Sequence, residues 1–104
     1  MDTQLLKAIA NPRRSAILGL VWDRERTAGD IATHFDTSWS AVSQNLAVLR
    51  RAGAVTERRD GTRRLYRADR VVLAPLADVI RSMWASDLET LRILAEADER
   101  ARSR

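Results

Sequence analysis

The stretch from Thr37 to Gly53 constrains this chain more than any other. Ser38 is a natural N-cap, whose hydroxyl accepts one of the amide protons a first helical turn leaves unpaired, and Gly53 can take the left-handed conformation that ends a helix. One helix fits between them. With about 3.6 residues per turn, Val42, Leu46 and Leu49 fall on one side, while Ser40, Gln44, Ala47 and Arg51 fall opposite with Ser43 beside them. The free face is small and hydrogen-bonding near its start and cationic at its end. It suits the DNA major groove: short side chains let the backbone approach base edges, glutamine can pair bidentately with adenine, and arginine reaches phosphate. An ordinary amphipathic surface helix has the same pattern, so the neighbouring segments must separate the two readings.

Upstream, Leu5, Leu6 and Ile9 form a short apolar face that Asn11-Pro12 interrupts. Asn as N-cap with Pro at the first helical position is a start signal, so one short helix ends there and a second begins. The second carries Ile17, Leu18, Leu20, Val21 and Trp22 and should be the most buried element. Asp23 to Arg26 reads as a polar loop. Thr27-Ala28-Gly29-Asp30 then matches a capping box, with Asp30 expected to reach back, and opens a third helix running to about Phe35. A short helix, a polar turn and a second helix with a polar outer face make a helix-turn-helix over residues 28–53.

After Gly53 the period changes. Segments 54–59 and 63–68 alternate loosely around Asp60-Gly61, a hairpin signal, and place Arg58, Arg59, Arg63 and Arg64 at the rim of a wing over 54–68. The use of such a rim is against phosphates or in a minor groove. From about Asp69 a long helix is expected, striped by Leu76, Ile80, Met83, Leu88, Leu91 and Leu94 and widened by Val79, Trp84 and Ala95. That stripe is longer than a small winged module can cover. Residues 1–10 and about 72–98 are therefore assigned to dimerisation, and 101–104 to a frayed tail. The fold class is mainly α with a small β-hairpin wing, a single domain over 1–104.

Composition narrows the function classes. Residues 50–70 hold eight arginines against Glu57, Asp60 and Asp69, more than the whole net charge of +4, so the basicity is local, as a polyanion-binding face requires. Cysteine is absent and His34 is the only histidine, which removes disulfides, thiolate ligands and cysteine nucleophiles and leaves no catalytic constellation; an enzyme is not expected. No segment approaches the roughly 20 apolar residues of a membrane span, and no secretory signal is visible, so a soluble cytoplasmic protein without membrane partners is the expectation.

In this order of elements the chain resembles the ArsR family of bacterial winged-helix repressors. The resemblance covers nearly the whole length and is most specific in Leu6-Lys7-Ala8-Ile9-Ala10-Asn11-Pro12-Arg13-Arg14, in the segment from Ser40 to Val55, and in Gly61-Thr62-Arg63-Arg64-Leu65-Tyr66. It implies a homodimer, built by the first and last helices, that represses from a two-fold symmetric operator on double-stranded DNA. Many members sense metals through a Cys-x-Cys pair at the start of the third helix; this chain has Thr27-Ala28-Gly29 there, and its C-terminal Asp78, Asp87, Glu89, Glu96 and Glu99 come without histidine. Neither a metal nor another cofactor is therefore expected. Derepression would then use an organic ligand, a partner protein or control of the protein's own level. A winged-helix module that binds an acidic protein, and a sensor of an organic ligand or unrecognised metal, are the rival readings.

The expected DNA contacts are Ser38, Ser40, Ser43 and Gln44, with Arg50 and Arg51 as phosphate anchors and Arg58, Arg59, Arg63 and Arg64 on the wing. Asn45, at the edge of the buried side, is as suited to orienting the helix as to touching DNA. The expected dimer interface comprises Leu5, Leu6, Ile9, Leu76, Ile80, Met83, Trp84, Leu88, Leu91 and Leu94. Trp39 has three candidate roles: packing on the third helix, which is preferred, stacking near the sugar-phosphate backbone, or lining a pocket. An organic effector, if one exists, is expected near Met83 and Trp84.

Overall fold

The computed structural model describes residues 3–102. Helix α1 (Thr3–Ile9) is followed at once by α2 (Pro12–Leu20), whose cap is the expected one: the Asn11 side chain accepts from the Arg14 amide and Pro12 takes the first helical position. Ile17, Leu18 and Val21 are fully enclosed, and Leu20 and Trp22 nearly so. Gly19 lets the C-terminal helix approach, since a Cβ there would stand 2.7 Å from the Leu94 side chain.

The loop after α2 does not stay irregular. Arg26–Thr27 form a two-residue strand, β1, before α3 (Ala28–Ala32). Thr27 caps α3 by accepting from the Asp30 amide, but the Asp30 carboxylate does not reach back as a capping box requires; it pairs with Arg26 at 2.7 Å. Helix α3 also ends earlier than expected, with one loose turn carrying the chain past Phe35. Helix α4 (Trp39–Arg51) begins on the Ser38 hydroxyl, which accepts from the Ala41 amide at 3.1 Å. It ends in a Schellman motif: the Ala54 amide donates to the Leu49 carbonyl and the Gly53 amide to that of Arg50, with Gly53 at φ 83°. Val42, Leu46 and Leu49 are buried, so one face of α4 is fixed to the core and the opposite face is free.

Strands β2 (Val55–Asp60) and β3 (Arg63–Ala68) form the wing, and the sheet order is β1-β3-β2, all antiparallel. The loop is Gly61-Thr62, one residue later than the Asp60-Gly61 signal suggests, because Asp60 still pairs with Arg63. Gly61 alone supplies the positive φ, 66°, as a type II′ turn needs at its first position. Two backbone bonds fix the hairpin base, Ala68 to the Val21 carbonyl and Asp69 to that of Ala54.

The single long C-terminal helix is not formed. A helical turn, α5 (Arg70–Leu73), and a 3-10 turn (Ala74–Leu76) that accommodates Pro75 lead into α6 (Ala77–Ser86), and α7 (Leu88–Arg102) follows after a break at Asp87. Asp87 is extended (φ −116°, ψ 108°), and its carboxylate accepts from the Glu89 and Thr90 amides, so it caps a new helix instead of continuing the old one. The apolar stripe runs on through the break and so conceals it. Residues 101 and 102 belong to α7 instead of a frayed end, while Ser103, Arg104, Met1 and Asp2 lie outside the described residues.

The break changes which apolar residues are available to a second subunit. Leu5, Ile9, Leu76 and Ile80, expected at a dimer interface, are buried inside the subunit's own core. Trp84 is also tied within the subunit: its indole N–H donates to the Ser15 carbonyl at 2.7 Å and its ring meets Trp22 edge-on at 5.3 Å. Met83 and Leu94 are half-buried, whereas Leu6, Leu91 and above all Leu88, 84% exposed, remain open, as does Val79.

Candidate nucleic-acid interface

Helix α4 is positioned by packing below and by one side chain at its flank. Arg14 of α2 donates through Nε to the Ala8 carbonyl (2.5 Å), through Nη2 to the Lys7 carbonyl (3.2 Å), and through Nη1 to Asn45 Oδ1 (3.3 Å). The Asn45 amide nitrogen in turn donates to the Ala41 carbonyl at 3.0 Å. Both polar groups of Asn45 are thus engaged inside the fold, as the helix-orienting role requires. The sequence places Arg14 in a family-like segment but gives it no role, because its partners are mostly carbonyl oxygens, which carry no sequence signature.

The remaining polar residues of the helix face outward. Ser40, Ser43 and Gln44 are exposed, and none has a side-chain partner among the described residues. Ser38 is exposed too, its oxygen used as the cap and its O–H free to donate outward. Trp39, the first residue of α4, is 56% exposed and lies outside the buried core.

The arginines of the basic region divide into two sets that their sequence positions do not reveal. Asp23 and Glu25, in the loop before β1, gather three of them: Arg70 pairs with Asp23 at 3.0 Å, Arg67 donates to the Asp23 carbonyl at 3.5 Å, and Arg58 holds Glu25 through two bonds of 2.6 and 2.8 Å. The bidentate bond from Arg58 holds the Glu25 carboxyl below its usual range and raises the Arg58 guanidinium. Arg50 pairs with Glu57 at 3.4 Å, fastening the end of α4 to the wing. Arg51, Arg59, Arg63 and Arg64 have no ion-pair partner among the described residues.

Register decides where the wing arginines point. Arg59 lies opposite Arg64, two positions from the Glu57–Tyr66 pair, so both share the sheet face that meets α4. That face also encloses Tyr66, whose phenol is pushed up by burial and by the neighbouring Glu57 carboxylate. Arg58 lies opposite Leu65 and Arg63 opposite Asp60, on the other face. Of the four rim arginines, Arg58 is therefore bound to Glu25, Arg63 is turned to the far side, and Arg59 and Arg64 continue the line of α4.

A helix with short polar side chains left free, next to unpaired guanidiniums on a projecting hairpin, matches the base edges and phosphates of a DNA duplex. The fold is that of winged helix-turn-helix transcriptional regulators, a class of DNA-binding proteins. Within that class the chain belongs to the arsR family of bacterial regulatory proteins, whose family model matches residues 11–57. It is similar to the transcriptional activator HlyU of Vibrio cholerae, 34% identical over 77% of this chain and 74% of HlyU. It is similar as well to the transcriptional repressor SdpR of Bacillus subtilis, 38% identical over 66% of this chain and 77% of SdpR. Among solved structures it resembles the homodimeric winged helix-turn-helix DNA-binding domain of Mb0332 from Mycobacterium bovis, with a TM-score of 0.68 and 35% identity over 82% of this chain and 79% of that one. These relatives are transcriptional regulators, and no described helix of this chain is long and apolar enough to cross a membrane. Among the described residues no three acidic or histidine side chains converge as a metal site would need.

Proposed function

We propose that the chain acts as a homodimeric, metal-independent repressor, each subunit laying α4 in the major groove of one half of a two-fold symmetric operator. The observation that carries this is the free face of α4. Ser40, Ser43 and Gln44 face outward without side-chain partners among the described residues, while Asn45, half-buried, is engaged in holding the helix. Gln44 reads a base, Ser40 and Ser43 allow close approach, and Arg51, Arg59 and Arg64 neutralise phosphates on either side. Dimerisation uses the apolar residues still exposed on α1, α6 and α7: Leu6, Val79, Leu88 and Leu91. The homodimeric state of the Mb0332 domain supports a dimer, without bearing on which residues form it. Repression is favoured by the likeness to SdpR, while HlyU shows that a relative can carry the name of an activator.

Selection of bound duplexes from a randomised library tests the proposal directly. The expected result is an inverted repeat whose half-site centres lie about 34–36 Å apart or a multiple of that. A single unrepeated half-site refutes the symmetric dimer, and no enriched motif refutes sequence reading by α4.

A further inference from the structure

On the sheet face opposite Glu57 a cleft of about 440 Å³ opens between the loop after α2, the start of α3, strand β3 and the end of α7. Its size lies within the range of small-molecule sites, roughly 300–1,000 Å³. Arg24, Arg26, Arg63 and Arg100 contribute to its wall against only Glu25 and Asp30. Both acids are already engaged, Glu25 by Arg58 and Asp30 by Arg26. Arg24 and Arg63 have no ion-pair partner among the described residues. His34 lines the same cleft with its side chain 4% exposed; Nδ1 is 3.4 Å from the Arg100 guanidinium, and Nε2 has no hydrogen-bond partner among the described residues, the nearest Asp30 oxygen being 3.9 Å away. An enclosed imidazole nitrogen without a hydrogen bond, in a cleft where Arg24 and Arg63 have no ion-pair partner among the described residues, leaves room for a further anion beside Asp30. Buried polar groups left in this condition call for an explanation, and a ligand is one.

We propose that this cleft binds a small organic oxyanion, a carboxylate or a phosphate monoester, gripped by Arg24 and Arg63. A guanidinium fork matches either group bidentately. The location gives such a ligand a consequence. It touches α3, which leads into the turn before α4, and it holds Arg63 at the root of the wing tip, on the face away from α4. An anion held between α3 and the wing adds negative charge behind the helix and the hairpin proposed to meet DNA, so ligand and DNA oppose each other reciprocally. This coupling rests on the DNA contacts proposed above; the site itself does not.

Because His34 is the chain's only histidine, its ring resonances report the cleft without overlap. The DNA-free protein is titrated with inorganic phosphate and separately with succinate, each against sodium chloride at equal ionic strength. A saturable shift of the His34 signals is expected, with the ring's pKa rising by about one unit as an anion settles nearby. A response to phosphate alone assigns a phosphorylated ligand, and a response to succinate assigns a carboxylate. Arg24→Gln and Arg63→Gln, both at exposed side chains, should each weaken binding about tenfold. The site is overturned by the absence of any saturable response beyond chloride, or by a response undiminished in the double variant. Anion binding that leaves operator affinity unchanged overturns the coupling alone, and both the site and the DNA reading survive it.

Discussion

Asn45 and Gln44 are neighbours on α4 with opposite fates in the structure, and substituting each by alanine separates stability from recognition. Asn45→Ala removes the bond to the Ala41 carbonyl at 3.0 Å and the acceptor for Arg14 at 3.3 Å. A neutral hydrogen bond contributes about 1 kcal/mol net, and one to a charged group about 1.5–3 kcal/mol. The bond from Arg14 is long and the guanidinium keeps two carbonyl acceptors, so its loss falls below that range, at about 1 kcal/mol, and the sum is about 2 kcal/mol. With a urea slope of about 2 kcal/mol per molar, the unfolding midpoint should fall by about 1 M at fixed protein concentration, followed by tryptophan fluorescence. Gln44→Ala removes an exposed side chain without a partner, so its midpoint should move by less than about 0.5 kcal/mol equivalent. Its affinity for the selected operator should instead drop by about 1–3 kcal/mol while non-specific binding is spared. An Asn45→Ala protein with an unchanged midpoint and a lost operator preference would overturn the division of labour, and a Gln44→Ala protein losing both DNAs equally would show that Gln44 reads no base.

Three further outcomes follow from the same contacts. The double variant Arg59→Ala with Arg64→Ala should reduce the slope of log affinity against log salt by about 3–4 units for a dimer, at 0.9 per phosphate, whereas Arg58→Ala should change it by less than about 1, since Glu25 already holds that guanidinium; equal effects would refute the assignment by sheet face. Leu88→Asp with Leu91→Asp, at positions exposed in the subunit, should yield folded monomers in sedimentation, and a variant still dimeric removes α7 from the interface. Burial, and secondarily the Arg26 charge, lower the His34 pKa below its usual 6.5, with Arg100 adding to this and Asp30 and Glu96 opposing it. The unfolded state then binds the proton more readily, so this contribution to stability is complete above about pH 7 and declines as pH falls through 6.5 toward the folded pKa. His34→Gln should flatten that decline in urea titrations between pH 7.5 and about 5; an unchanged profile would mean that the ring titrates freely.

Local chemistry made much of the fold legible. Asn11-Pro12, Thr27, Ser38 and Gly53 each satisfy or end a helix through atoms a few residues away, and each does so as expected. What escaped depends on partners distant in the chain. Arg26–Thr27 are too few to show a period and become a strand only because β3 lies alongside. The break at Asp87 had a local signal, an acidic N-cap ahead of Leu88-Glu89, but the apolar stripe across it carried more weight. The stripe also mixed core with surface, since periodicity marks a face without saying whether the subunit's own helices cover it. The basic region was read as a sum of charges, and the fold spends half of them on Asp23, Glu25 and Glu57.

Arg14 bears on a question of metrology. Its guanidinium joins the end of α1, next to the exposed Leu6, to the flank of the helix proposed to enter the groove. The proposed dimer works as a calliper, whose two jaws must meet a duplex that turns its major groove to the same side only once per helical turn, about 34–36 Å. In the dimer proposed above, the opening of the calliper would be set in part within each subunit, by the three hydrogen bonds through which Arg14 ties α1 to α4.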